Sequence, residues 1–169
     1  MTGRAATREQ AREIAAAVVD PELPMLTLAD LGVLRDVEVV GGEVLVDLTP
    51  TYSGCPALAT MRDDLVRRLR DAGFADVRVR VVLAPAWTSD WITPAGRRAL
   101  AENGISPPGA AVPPCSGPIP LRLELPVRDV RCPRCGAASV LVSEFGTTAC
   151  RAQYRCRGCG EPFDHVKEI

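Results

Sequence analysis

The spacing of apolar residues over the first fifty positions predicts a helix followed by a hairpin. Ile14, Ala17 and Val18 lie on one face of a predicted helix over 7–19, which Thr7 caps. Asp20-Pro21 ends this helix, because a residue before proline is pushed out of the α region. Apolar residues then alternate on both sides of Gly41-Gly42, which predicts two antiparallel strands joined by a tight turn.

The next fifty residues predict a helix, a strand and a further helix. The run over 57–72 has helical periodicity, and the segment over 76–83 alternates like a strand. A last helix begins at Thr88 or Thr93 and ends at Asn103-Gly104. The apolar stripe of the central helix consists of Leu58, Met61, Leu65 and Leu69. The order α-β-β-α-β-α predicts an α+β fold in which helices cover one face of a sheet.

The composition changes after this domain. Seven prolines lie between residues 105 and 126, which predicts a semi-rigid linker or a strap. We therefore predict three parts: an α+β domain over 1–105, a proline-rich linker over 106–127 and a small domain over 128–169. Cys115 lies in the linker and receives no assignment.

The small domain carries two Cys-x-x-Cys pairs with the spacing of a zinc ribbon. Twenty residues separate Cys132 and Cys135 from Cys156 and Cys159. Each pair directs two sulfurs at one point, and Zn²⁺ prefers four such ligands at tetrahedral corners. A closed four-thiolate site has no open coordination position, so we predict one structural zinc. Iron in a rubredoxin-like site is the alternative, since the geometry is the same.

Three strands are predicted around these cysteines, over 139–145, 152–155 and 163–167. A segment this short cannot bury much apolar surface, so metal binding would supply most of its folding free energy. Cys150 is predicted to be a neighbour of the metal site that could replace a ligand. His165 is interpreted as a surface or strand residue, because four cysteines already complete the site.

A different kind of cysteine lies in Tyr52-Ser53-Gly54-Cys55-Pro56, between the second predicted strand and the central helix. The unsatisfied N–H groups and the dipole at a helix N-terminus favour negative charge, so the Cys55 thiolate forms more easily there. Such a thiolate is a nucleophile or a ligand for a soft metal. The alternative is that Cys55 is a small buried apolar residue. Trp87 and Trp91 are predicted to share one helical face, as core packing or as walls of a Cys55 pocket.

The net charge and the absence of known catalytic and nucleotide-binding motifs limit the range of possible functions. Twenty basic and 21 acidic residues give a net charge of −1, which argues against nucleic acid or a membrane surface as the partner. The start of the chain lacks the apolar core of a signal peptide, and seven cysteines then suggest metal binding in the cytoplasm. We find no phosphate loop, dinucleotide fingerprint or catalytic triad, so no self-contained enzyme is predicted.

Several motifs together resemble a known family. The segments 20–24, 27–32 and 52–56 resemble the iron–sulfur-assembly domain of the SufT-like proteins. With Trp87 to Ile92 and the motifs from Phe145 through Phe163, the whole chain is similar to the D-subunit family of the phenylacetyl-CoA epoxidase, a ring-epoxidising monooxygenase of aerobic phenylacetate degradation.

This resemblance implies an accessory protein for metalloprotein maturation. It implies that Cys55 holds iron or an iron–sulfur cluster transiently, with Asp20 and Glu22 as nearby candidates. The implied clients are the di-iron oxygenase subunit and the iron–sulfur reductase subunit of the same system. A non-catalytic structural subunit and a rubredoxin-like electron carrier are the alternatives. The oligomeric state, including a homo-oligomer, stays open.

Overall fold

A computed structural model describes residues 7–110 and 128–169. The chain separates into two compact units, residues 1–99 and 100–169. Residues 111–127 of the predicted linker, with Cys115, lie outside the described residues, and the predicted three-part division stays a prediction. Among the described residues, no helix combines the length and apolar character needed to cross a membrane.

The first helix, α1, spans Arg8–Ala16, and the Thr7 side chain accepts a hydrogen bond from the N–H of Gln10 as predicted. The helix ends three residues earlier than predicted. The reason is backbone pairing, because the N–H of Leu28 donates to the Val18 carbonyl and Val19 forms an antiparallel bridge with Thr27. This pairing draws the residues after α1 into an extended conformation.

Strands β1 (Leu34–Val40) and β2 (Glu43–Leu48) form the predicted antiparallel hairpin. Gly41 and Gly42 have φ values of +61° and +93°, as a two-residue hairpin turn with the twist of the strands requires. Strand β3 (Asp76–Val81) pairs with β2 in parallel and completes a sheet of order β1-β2-β3. It ends two residues before the predicted limit.

Helix α2 (Leu58–Asp71) connects the two parallel strands. Three residues of its predicted stripe, Met61, Leu65 and Leu69, are buried, and Leu58 is half-buried. Alternate sheet residues, Val37, Val44, Val46 and Leu48, are also buried. On the other side of the sheet, Arg80 pairs with Asp47 across neighbouring strands. The predicted α+β layer with one apolar face is therefore confirmed.

A short 3₁₀ turn (Ser89–Trp91) and helix α3 (Pro94–Glu102) follow β3. Both threonines proposed as caps act as such. Thr88 accepts a hydrogen bond from Asp90, and Thr93 accepts one from Gly96.

The ribbon unit contains an antiparallel sheet of order β4-β5-β6, with strands Ser139–Ser143, Arg151–Cys156 and Pro162–Val166. The three predicted strands are all present. Ser106, in the predicted linker, runs beside β6, because its N–H donates to Asp164 and its carbonyl accepts from Val166. The first residues of the predicted linker are thus hydrogen-bonded to the ribbon sheet.

Candidate functional site

Cys55 lies in the nine-residue loop between β2 and α2. Its N–H donates to the Tyr52 carbonyl at 3.2 Å, and its own carbonyl accepts from Leu58 at 3.3 Å. The thiol is half-buried and forms no disulfide. Ala57, the residue before α2, provides no side-chain cap for the helix N–H groups. The loop therefore places a partly accessible thiol just before a helix N-terminus, and the reactive thiolate stays a prediction.

Asp20 organises the Asp-Pro-Glu turn. Its side chain is 4% exposed, and one carboxylate oxygen accepts the N–H groups of Glu22 and Leu23, both at 2.8 Å. The Asp20 carboxylate therefore stabilises the turn. Glu22, the other acidic residue of the turn, is half-buried. Over residues 7–110 and 128–169, no group of three potential ligands includes Asp20, Glu22 or Cys55. Their joint role toward a metal stays a prediction.

Two of the motifs that carry the family resemblance pack against each other in the first unit. Asp30 accepts hydrogen bonds from the hydroxyls of Thr27 and Thr93, both at 2.8 Å, and the indole N–H of Trp87 donates to the Leu31 carbonyl. The Thr27 hydroxyl, with a smaller effect from Thr93, holds the pKa of Asp30 below its ordinary value despite burial. These hydrogen bonds connect the 27–32 segment to the 87–93 segment.

Gly32 lies at the closest approach of these two segments. Its φ is +75°, and a Cβ atom there would meet the Trp91 Cβ at 2.6 Å and the Trp91 carbonyl oxygen at 2.7 Å. Glycine is therefore required at this position by both conformation and space.

The prediction that Trp87 and Trp91 share a helical face is wrong. Trp87 precedes the 3₁₀ turn and Trp91 ends it, because Thr88 caps the turn only there and Ile92 returns to an extended conformation before Pro94. Trp87 is buried at 4% exposure, which fits core packing. The guanidinium of Arg35 lies 3.5 Å above the Trp91 ring. A role as walls of a Cys55 pocket stays a prediction.

The second candidate site is the four-cysteine cluster of the ribbon. The Sγ atoms of Cys132, Cys135, Cys156 and Cys159 all lie within 4.8 Å of one another. Cys132 and Cys156 are buried, whereas Cys135 and Cys159 are exposed. Each Cys-x-x-Cys turn therefore contributes one buried and one exposed cysteine to the cluster.

The backbone around the cluster is arranged for negatively charged sulfur. The N–H groups of Gly158 and Cys159 point at the Cys156 Sγ at 3.3 and 3.4 Å. Hydrogen bonds to its sulfur, the largest from the Cys159 N–H, lower the pKa of Cys156 to about 6, whereas the pKa of the neighbouring Cys159 thiol is raised to about 11. Gly136 and Gly160 follow the two turns with φ values of +72° and +74°, a backbone conformation that favours glycine. Residue 158 has no room for a side chain, because its Cβ would meet the Ala137 Cβ at 2.8 Å.

The geometry of the donor set fits a tetrahedral metal ion. Zn–S bonds of about 2.3 Å place neighbouring sulfurs about 3.8 Å apart. The Cys132–Cys159 and Cys135–Cys156 sulfur distances are 3.9 and 3.4 Å. Four soft thiolates at this spacing suit zinc, which would cross-link the two turns and supply no open coordination position.

Cys150 does not belong to the four-sulfur group. Its Sγ lies 3.1 Å from the Thr148 hydroxyl, and its carbonyl accepts the N–H of Lys167. The prediction that it neighbours the site and could replace a ligand receives no support from these contacts.

His165 is a strand residue, as predicted, but the alternative of a surface histidine is wrong. It is 2% exposed, with Nδ1 at 3.1 Å from the Ser106 hydroxyl and Nε2 at 3.1 Å from a Glu168 oxygen. These three residues also border a cavity of about 730 Å³ within the ribbon unit. No sequence pattern indicated this group, since Ser106 is 59 residues from His165 and falls in a proline-rich stretch.

The comparisons with known proteins assign a class to each unit. Residues 8–83 match the family described as "Iron-sulfur cluster assembly protein", and residues 118–167 match the "PaaD zinc beta ribbon domain". The structure of a domain from Bacillus anthracis, titled as a domain of unknown function (DUF59), is 25% identical with a TM-score of 0.51. It covers 55% of this chain and 90% of its own. The chain thus combines an iron–sulfur-assembly-type domain with a zinc β ribbon.

A curated relative then identifies the family. The chain is 45% identical over 153 residues to the putative D-subunit of the 1,2-phenylacetyl-CoA epoxidase of Escherichia coli (strain K12). The match covers 90% of this chain and 87% of that protein. The chain belongs to this D-subunit family. The family resemblance found in the sequence is therefore confirmed.

Proposed function

We propose that this chain is an accessory protein of a phenylacetyl-CoA epoxidase system that helps insert iron or an iron–sulfur cluster into a metal-containing subunit. The observation that carries the proposal is the Cys55 loop, in which a half-buried thiol outside any disulfide precedes helix α2 of an assembly-type domain. Iron or a cluster is cargo in this proposal, and the ribbon zinc is a structural component.

The chemistry of a single thiol supports a transient role. One thiolate cannot complete the coordination shell of iron, so a client or a second chain has to supply the remaining ligands. Since no group of three potential ligands within the described residues includes Cys55, the cargo would not be retained by a closed shell. Weak retention suits transfer, whereas the four converging thiols of the ribbon suit permanent binding.

The phenylacetate system provides the clients. The relative from Escherichia coli carries the name of an epoxidase subunit, and the proposed clients are the di-iron oxygenase and the iron–sulfur reductase of that system. Cys55 would be the transient ligand, with Asp20 ordering the adjoining turn and Glu22 as a nearby carboxylate. No catalytic step of the oxygenation is assigned to this chain.

The test is the metal content of the clients. The epoxidase subunits are produced together with the wild-type chain, with Cys55→Ser or with Cys150→Ser, and iron per client is measured by elemental analysis. Cys150→Ser is the matched control, because Cys150 is also a half-buried thiol outside the four-cysteine group. We expect Cys55→Ser alone to lower client iron several-fold, at unchanged zinc content of the chain. Normal client iron with Cys55→Ser would refute the proposal.

The second candidate function is a structural subunit of the epoxidase, which the name of the relative favours. It requires stoichiometric co-purification of the chain with the oxygenase and the same iron content with or without the Cys55 thiol. The iron content of the client in the same experiment therefore separates the two functions. Co-purification separates them as well, since an assembly factor leaves its client after loading.

A further inference from the structure

Strand β3 is an edge of the sheet in the first unit, and among the described residues its outer side pairs with no other strand. Its inner side is bonded to β2, and just past the strand the N–H of Val82 donates to the Leu48 carbonyl at 2.8 Å. Because successive residues of a strand direct their backbone groups to opposite sides, the N–H and C=O groups of Val77, Val79 and Val81 point outward. Such an edge can accept a strand from another chain.

The valines of β3 also form an apolar stripe that is only partly buried. They pair in parallel register with the buried apolar residues of β2, so they lie on the same face of the sheet. Unlike those partners, Val77 and Val79 are half-buried and Val81 is 42% exposed. Leu83, two residues after the strand, is 59% exposed. The exposure of the apolar residues therefore increases towards the C-terminal end of β3.

The C-terminal end of β3 lies beside the start of the Cys55 loop. Strands β2 and β3 are parallel, so both finish at the same end of the sheet. The hydrogen bond from Val82 to Leu48 joins the first residue after β3 to the last residue of β2. The Cys55 loop begins at the next residue, Thr49, and the exposed apolar residues 83–86 leave the sheet at the same end. A chain bound along β3 would therefore reach the end of the sheet from which the Cys55 loop extends.

The opposite face of β3 carries two arginines that indicate the charge of a partner. Arg78 lies 3.0 Å from Glu43 and Arg80 lies 2.6 Å from Asp47, yet the two arginine side chains are 67% and 46% exposed. An antiparallel second copy of β3 would place its own arginines beside these, so like charges would meet. The strand instead complements an extended segment in which apolar residues alternate with carboxylates.

We propose that the outer edge of β3 is the docking site of the client, which adds an extended segment of alternating apolar and acidic residues as a further strand. This inference rests on the proposed function, in which the client supplies the iron ligands that Cys55 lacks. Backbone hydrogen bonds along the edge provide affinity, and the apolar contacts with Val81 and Leu83 provide specificity. A single added strand forms a small interface, which suits a transient complex.

The test is the binding of metal-free clients to the full chain. The metal-free di-iron oxygenase subunit and the metal-free iron–sulfur reductase subunit are each titrated by isothermal calorimetry. Val81→Pro removes an outward N–H donor, a change that edge strands tolerate. Leu83→Lys places a charge in the exposed apolar segment after the strand. Val40→Lys is the matched control, because Val40 is also 59% exposed but lies beside the hairpin turn, at the opposite end of the sheet.

We expect the wild-type chain to bind at least one client, and Val81→Pro and Leu83→Lys to weaken this binding at least about tenfold. Val40→Lys should bind as the wild type does. Added salt should weaken the wild-type binding, because it screens the contacts of Arg78 and Arg80 with carboxylates. Urea unfolding followed by tryptophan fluorescence establishes that the variants are folded.

Three results would overturn the proposal. The first is a wild-type chain that binds neither client, and the second is unchanged binding by both folded β3 variants. The third is a mass of the chain alone, measured by sedimentation velocity, that falls with Val81→Pro, since a second copy would then occupy the edge. Binding that is insensitive to salt would refute the acidic character of the client segment.

The docking site and the assembly role can fail separately, because no iron takes part in the binding measurement. Lower client iron with Cys55→Ser but unchanged binding by both β3 variants would reject this docking site alone. Normal client iron with Cys55→Ser but weaker binding by Leu83→Lys would reject the assembly role and leave an epoxidase subunit as the partner of this edge.

Discussion

The two units of this chain are ordered by different forces. The first unit has an apolar core in which two helices cover a sheet, with buried residues on every element from α1 to α2. The ribbon unit has a core cluster of six buried residues, two of which are the ligand cysteines Cys132 and Cys156. Burial of apolar area can stabilise the first unit, whereas so small a cluster needs a cross-link.

Because of this difference, we expect the cysteines of the two units to have different roles. We expect the fold of the ribbon unit to depend on its four clustered thiols. Cys55 lies on a unit that already has a core, so we expect its thiol to be dispensable for folding. Several changes test this contrast, and loss of the metal has the largest expected effect.

Removal of the metal should unfold the ribbon and leave the first unit intact. Structural zinc supplies about 10 kcal/mol or more of folding free energy in small domains, which exceeds what the ribbon core can replace. With excess chelator, we expect the amide resonances of 128–169 to collapse to unfolded positions while those of 8–83 persist. Cys132→Ser should act in the same way, and Cys150→Ser should not. If the amide resonances of 128–169 stay at their folded positions without metal, the ribbon does not depend on metal for its fold and the proposed difference between the units is wrong.

Gly32→Ala should strongly destabilise the first unit. Positive φ costs a non-glycine residue about 1–2 kcal/mol, and the new Cβ would also collide with the Trp91 backbone, so the total is about 3 kcal/mol. The measurement is urea unfolding followed by tryptophan fluorescence, since Trp87 and Trp91 both lie in this unit.

Gly41→Ala is the matched control for Gly32. Gly41 also has positive φ, at +61°, but no atom lies within 4 Å of the added Cβ. We expect only the conformational cost of about 1 kcal/mol. Equal losses in the two variants would mean that the contact with Trp91 contributes nothing.

The sequence predicted the parts of the fold that depend on local periodicity. The hairpin at Gly41-Gly42, helix α2 and the ribbon strands follow from spacing within about fifteen residues. The ribbon site was also predictable, because two short cysteine turns have only one common way to use four thiols. The position of Cys55 between β2 and α2 followed from the elements on either side.

Contacts between distant segments were not predictable. The pairing of Val19 with Thr27 shortened α1, and the Asp30–Thr93 contact joins residues 63 positions apart. Spacing suggested a helical face for Trp87 and Trp91, but the segment forms only a short 3₁₀ turn over Ser89–Trp91, which Thr88 precedes and the extended Ile92 follows. His165 was misjudged for the same reason, since its partner Ser106 comes from a stretch without periodicity.

The ribbon should lose stability in mild acid through His165. Burial, partly offset by Glu168, lowers the pKa of His165 below its ordinary value of 6.5. The unfolded chain then binds the proton more readily, so stability falls as the pH drops through about 6.5 and is retained above it. The charged groups that act on the ring are Glu168 and Arg128, and the ring also contacts Ser106 and Tyr154.

His165→Gln separates this effect from acid-induced loss of metal. Urea unfolding of the ribbon is followed by its amide resonances at several pH values between about 7 and 5.5, above the range in which Glu168 titrates. We expect the wild type to lose more stability over this interval than the variant does. Parallel curves for the two proteins would show that His165 makes no contribution to the pH dependence.

The smallest expected effect is that of Cys55→Ser on the first unit. A half-buried loop residue outside the core should change the free energy of unfolding by less than about 0.5 kcal/mol, whereas Leu65→Ala in helix α2 should cost about 2–5 kcal/mol. Urea unfolding monitored by tryptophan fluorescence compares the two variants directly. If Cys55→Ser lowers the free energy of unfolding as much as Leu65→Ala does, the thiol is a packed apolar group and is not available to bind a metal. A negligible loss of stability together with a large loss of client iron would separate folding from function at this residue.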